Sequence, residues 1–120
     1  MAKPITADSF LKDIENLARD AVKGQEWLAV WRTPLVHESP GRGETYDAVQ
    51  VGMLDELKPD EPSALIFFTA YVRRNFYGSF VEIRYERPCG QKSRSSAGPI
   101  SRGGLGFAEE CLLDLETYAL

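Results

Sequence analysis

The sequence predicts an α+β domain: an N-terminal helix, an antiparallel sheet of about four strands, a long Gly/Ser-rich basic loop and a C-terminal helix. Three observations carry that expectation. Phe10, Ile14, Leu17, Ala18, Ala21 and Val22 recur at helical spacing with charges opposite. Val81, Ile83 and Tyr85 alternate with Glu82, Arg84 and Glu86, the pattern of a strand with one buried and one wet face. Phe107, Cys111, Leu115 and Tyr118 form a second helical stripe.

The first helix is expected at about 6–23. Thr6 suits the N-cap, Asp8 the first turn, and Ile5 and Phe10 the staple positions. Glu15 and Arg19 make a favourable i,i+4 pair, and Gly24 supplies the C′ residue. Residues 27–32 read as a strand, with Trp27, Ala29 and Trp31 on one face and Leu28 and Val30 on the other. Residues 36–43, with Pro40-Gly41, read as a loop. Residues 46–57 are open: Tyr46, Val49, Met53 and Leu57 fit a helix, whereas Val49, Val51 and Met53 also alternate as a strand, and Gly52 weakens the helix. A turn follows over 58–63. Residues 64–74 carry helix punctuation at Asp60, Glu61, Arg73, Arg74 and Gly78, but Ile66, Phe67, Phe68, Thr69, Tyr71 and Val72 are β-formers, which favours a strand. Residues 75–78 then close a hairpin onto the strand at 78–87. The stretch 88–104 is rich in Gly, Ser, Pro and cations, with Ile100 its lone large apolar residue, and reads as a loop of unusual length. The last helix is placed at about 106–118, with Glu109 and Glu110 in its first turn. Both helices should cover one face of the sheet, with Trp27, Trp31, Phe67 and Phe68 anchoring the core.

A chain of 120 residues, 43% hydrophobic and 27% charged, is expected to form a single compact domain over 1–120. At this size roughly two thirds of the unfolded surface is buried, enough for a core without disulfide or metal staples. Two cysteines, Cys89 and Cys111, point to a reducing compartment. The first residues hold no apolar run of signal-peptide length, and the longest such stretch, 64–72, is about half a membrane span. A cytoplasmic location is the expectation, with no membrane association.

Charge is unevenly distributed. Residues 1–43 balance; 44–61 set Lys58 against Glu44, Asp47, Asp55, Glu56, Asp60 and Glu61. The next charged block, 73–102, holds Arg73, Arg74, Arg84, Arg87, Lys92, Arg94 and Arg102 against Glu82 and Glu86, and 103–120 is purely acidic. Three readings compete: intramolecular complementarity on a solvated surface, a basic loop that grips an anion, and acidic faces that dock on a basic partner. With no aromatic residue interleaved after Tyr85, the basic segment lacks stacking platforms for bases, and the pI near 5.0 disfavours a nucleic-acid binder.

The catalytic motifs are broken. The phosphate-loop spacing over 98–103 is followed by Gly104 and Leu105, where Lys and Ser/Thr belong. The dinucleotide fingerprint beginning Gly104-Leu105-Gly106 meets Glu109 at its third glycine. A looser anion site around Arg102 is opposed by Glu109 and Glu110 at the expected helix start. Pro99 defeats a nucleophile elbow at Ser101. A Cys–His pair would have to join the single histidine, His37, to Cys89, because Cys111 lies on the apolar stripe. No metal set and no cofactor motif is present in the sequence. His37 beside Glu38 reads as a solvated loop residue.

The expectation is therefore a non-enzymatic protein-binding module. It would act by occlusion, as small acidic inhibitors, immunity proteins and viral counter-defence proteins do when they cover a basic functional surface. Asp55, Glu56, Asp60, Glu61, Glu109 and Glu110 are the candidate partner-binding residues. The alternative is a nucleic-acid or phosphate-ligand binder using Arg73, Arg74, Arg87, Lys92, Arg94 and Arg102. A homodimer through an unpaired sheet edge is compatible with either.

Overall fold

Thr6 and Ser9 open the first helix reciprocally. Ser9 N–H donates to Thr6 Oγ1 and Thr6 N–H donates to Ser9 Oγ, each at 3.1 Å, so two otherwise orphaned donors are satisfied. The computed structural model describes residues 6–39, 42–75, 78–88 and 93–118. Helix α1 spans Ala7–Val22 and gives way at Gly24, whose φ of 87° is left-handed and comfortable only for a residue without Cβ. Phe10, Leu11, Ile14, Ala18 and Ala21 are its buried stripe, and Arg19 meets Glu15 at 2.8 Å.

Five strands follow: β1 (Leu28–Ser39), β2 (Arg42–Met53), β3 (Ile66–Asn75), β4 (Gly78–Glu86) and β5 (Ser93–Pro99). They pair antiparallel in chain order, a plain meander. Helix α2 (Arg102–Tyr118) closes the chain, so the architecture is α+β with one strand more than expected.

The strand reading of 46–53 and of 66–74 holds. Val49 and Val51 lie opposite Ala70 and Phe68, and these lie opposite Ile83 and Tyr85; all six are buried. This is the helix-covered face. Phe10, Leu11 and Ile14 from α1 and Ala108, Cys111, Leu112 and Leu115 from α2 fill it from above. Phe68 anchors that core as expected, while Trp27 and Phe67 meet edge-on at 5.9 Å on its margin. Trp31 does not join it. It projects to the opposite face with Ala29, because the strand alternation that puts Leu28 and Val30 inward turns it outward.

Three further expectations are corrected. The loop at 36–43 is mostly ladder: pairing runs to Ser39↔Arg42, and Pro40 and Gly41 lie outside the described residues. The polar residues beside a hairpin turn are compatible with an edge ladder, and Pro34 is tolerated because β1 is an edge strand. The long loop at 88–104 contains β5, paired without a break from Glu86↔Ser93 to Phe80↔Pro99. Without it β4 would present an unpaired edge, so backbone hydrogen bonding, not side-chain pattern, recruits this segment. Finally, α2 starts at Arg102, not near 106. Ser101 Oγ accepts from Gly104 N–H at 3.3 Å and Ser101 C=O from Leu105 N–H at 3.3 Å. Glu109 and Glu110 are therefore in the helix interior, and its first turn holds no acid.

Gly52 is required by a close approach. At the β2 bulge a Cβ would stand 2.3 Å from the Leu65 carbonyl oxygen, where the chain re-enters the sheet as β3.

Candidate docking surfaces

The connection between β2 and β3, residues 54–65, carries four of the six acidic candidates. It is pinned at both ends and in the middle. Leu54 N–H donates to Trp27 C=O at 2.7 Å, and Met53 N–H donates to Leu65 C=O at 2.9 Å. Trp31 Nε1–H reaches Pro59 C=O at 3.0 Å from the face the helices leave open. Asp55 Oδ1 accepts from Leu57 N–H at 3.0 Å, an Asx turn, and Asp55 C=O accepts from Lys58 N–H at 3.1 Å. Asp55 is half-buried and serves the loop itself.

What this scaffold presents is Leu57, 91% exposed, on a loop whose Glu56, Asp60 and Glu61 are also exposed. None of those three carboxylates meets a cation among the described residues. Met53 and Leu65, 41% and 54% exposed, lie at the loop's two ends. Met53 and Leu57 fall in the stretch 46–57 that the sequence leaves open between helix and strand, and Leu65 in the stretch 64–74 read as a strand, so their exposure has no signal in the periodicity.

The other two candidates separate. Glu110 is held by Arg94 at 3.3 Å, whose guanidinium also lies 5.0 Å above the Phe107 ring. Glu109 borders a groove between α1 and α2 with Asp20, Glu116, Leu112 and the half-exposed Leu113. Asp20 and Glu116 were not singled out from sequence. The i,i+7 spacing of Glu109 and Glu116 on α2 was the available signal. The sheet stands between this groove and the Pro59 loop.

Three of the basic candidates, Arg73, Arg87 and Arg94, are paired with carboxylates. Arg73 meets Glu82 at 3.3 Å, and Glu82 also accepts from the Tyr71 hydroxyl. Arg87 grips Asp114 through Nε and Nη2, both at 2.9 Å, and the Tyr85 hydroxyl donates to the same carboxylate. This Arg87 fork holds the Asp114 carboxyl below its usual range, while burial and Asp114 push the Tyr85 phenol up. Arg102 is exposed at the start of α2. Lys92 and the Arg74 side chain lie outside the described residues.

Burial pushes the Cys111 thiol up to about 11, leaving it protonated and inert as a nucleophile near neutrality. Cys89 and the His37 side chain lie outside the described residues, and the described residues contain no cluster of three His, Cys, Asp or Glu able to hold a metal. No helix among the described residues is long and apolar enough to cross a membrane. No protein-family model, curated protein or solved structure matches the chain.

Proposed function

We propose that the chain is a non-enzymatic protein-binding module whose β2–β3 loop docks on a basic surface of a partner protein and blocks it. The inhibitor, immunity or counter-defence type is the class this mode of action belongs to. The observation that carries the reading is Leu57, almost fully exposed on a hydrogen-bonded loop with Glu56, Asp60 and Glu61, which meet no cation among the described residues. A leucine so placed contributes nothing to folding, whereas its burial at an interface is worth about 1.5–3 kcal/mol. The pinned backbone lowers the ordering cost of binding. The carboxylates around it would steer a cationic counterpart and form a polar rim.

Affinity capture from the native host with the intact protein as bait, followed by quantitative binding to the recovered partner, tests this. Leu57→Ser should weaken binding about tenfold or more, matching the loss of one buried leucine. The triple change Glu56→Lys, Asp60→Lys, Glu61→Lys should slow association and remove its salt dependence. Binding that tolerates both sets overturns the proposal.

The nucleic-acid reading retains only Arg102 as an unpaired cation among its described candidates. A gel shift at about 50 mM salt that disappears on replacing Lys92, Arg94 and Arg102 by Ala would restore it.

A further inference from the structure

The uncovered face of the sheet holds a cation that the internal ion pairs leave out. Register places Trp31, Gln50, Thr69, Arg84 and Ser95 directly opposite one another in a row across β1 to β5. Arg84 therefore lies between two hydroxyl residues, Thr69 on β3 and Ser95 on β5. It is exposed and, among the described residues, has no counterion. Glu82, two residues earlier on the same face, is taken by Tyr71 and Arg73. Arg84 faces an open depression of about 510 Å³ that Thr69, Ser93 and Ser95 also line, with Ile66 and Phe67 contributing apolar wall.

We propose that this depression is a binding site for a small organic carboxylate with a flat apolar body. The Arg84 fork matches a carboxylate bidentately, and the flanking hydroxyls donate to its remaining lone pairs. Ile66 and Phe67 supply the surface against which an apolar body is shed from water. The charge balance selects a monoanion. Glu86 lines the same depression two residues beyond Arg84, and Arg94, which also lines it, is engaged by Glu110, so a phosphate dianion would meet one guanidinium without a counterion and one opposing carboxylate. The site lies on the β3–β5 side of the sheet and makes no use of the acidic loop, so it stands or falls separately from the docking reading.

Benzoate is the probe. Titrated into the isotope-labelled full chain, it should move the amide resonances of Thr69, Arg84 and Ser95 saturably, with a dissociation constant on the order of 1 mM for a ligand of this size. Arg84→Gln should weaken binding at least tenfold and Thr69→Val severalfold. Arg84→Lys keeps the charge but loses the fork, and should also weaken binding severalfold. Benzyl alcohol, the neutral analogue, and inorganic phosphate should give no saturable shift at these amides. Absence of saturation by benzoate, or undiminished binding by Arg84→Gln or Arg84→Lys, overturns the site. Equal binding of phosphate overturns the carboxylate assignment.

Discussion

Asp114 shows how much of the charge pattern is consumed inside the molecule. It accepts from Arg87 twice and from the Tyr85 hydroxyl, joining α2 to β4 and the residue just beyond it. Asp114→Ala removes three bonds and leaves the Arg87 guanidinium, 19% exposed, without this partner. The expected cost is about 2–4 kcal/mol by urea denaturation. Because the folded carboxyl titrates below its unfolded value, its contribution is complete above about pH 4 and fades as the pH falls through the folded pKa. Unfolding free energies measured across that acid range should fall more steeply for the parent than for Asp114→Asn. A second residue-scale expectation concerns two glycines. Gly52→Ala forces the Leu65 carbonyl to move and should cost about 1–3 kcal/mol, whereas Gly98→Ala, with open space at its Cβ, should be neutral or slightly stabilising by the same denaturation assay.

At the level of elements, the parts legible in the sequence are those whose burial is one-sided. Helix α1 and strand β4 alternate between a core face and water, so their side chains declare the period directly. Strand β5 was illegible because Ser93, Ser95, Ser96, Ala97 and Gly98 bring almost no apolar side chain; what orders them is the backbone ladder to β4. The start of α2 is hidden for a related reason, since Gly103 and Gly104 are poor helix formers and the capping Ser101 sits in a stretch already rich in Ser and Gly. Of the candidate site, the acidic stretch was visible as charge. Leu57 was not, because exposure of one leucine depends on where the loop is tied. Trp31 makes that tie, and its substitution tests it. Trp31→Phe retains an aromatic ring on the open face but loses the donor to Pro59 C=O. Amide hydrogen exchange over residues 55–61 should accelerate, while amides of β3 and β4 keep their protection.

For the whole molecule the decisive fact is that its acidic surfaces are divided by the sheet. The Pro59 loop folds toward the open face, tied there by Trp31, while Glu109, Glu116 and Asp20 rim a groove between the helices on the covered face. Electrostatic attraction between exposed charges decays over about 8–10 Å at physiological salt, so a partner seated on one face feels the other only weakly. The three internal pairs Arg73–Glu82, Arg87–Asp114 and Arg94–Glu110 further reduce any long-range field from the basic segment. Two charge reversals of similar size should therefore act differently. Glu56→Lys with Glu61→Lys should lower the association rate for the captured partner about tenfold at physiological salt, because both lie on the loop that presents Leu57. Glu109→Lys with Glu116→Lys, an equal change in net charge, should leave that rate within about twofold. Stopped-flow association at two ionic strengths separates them: equal slowing would show that net charge alone governs encounter, and slowing confined to the Glu109/Glu116 variant would move the docking surface to the helical groove.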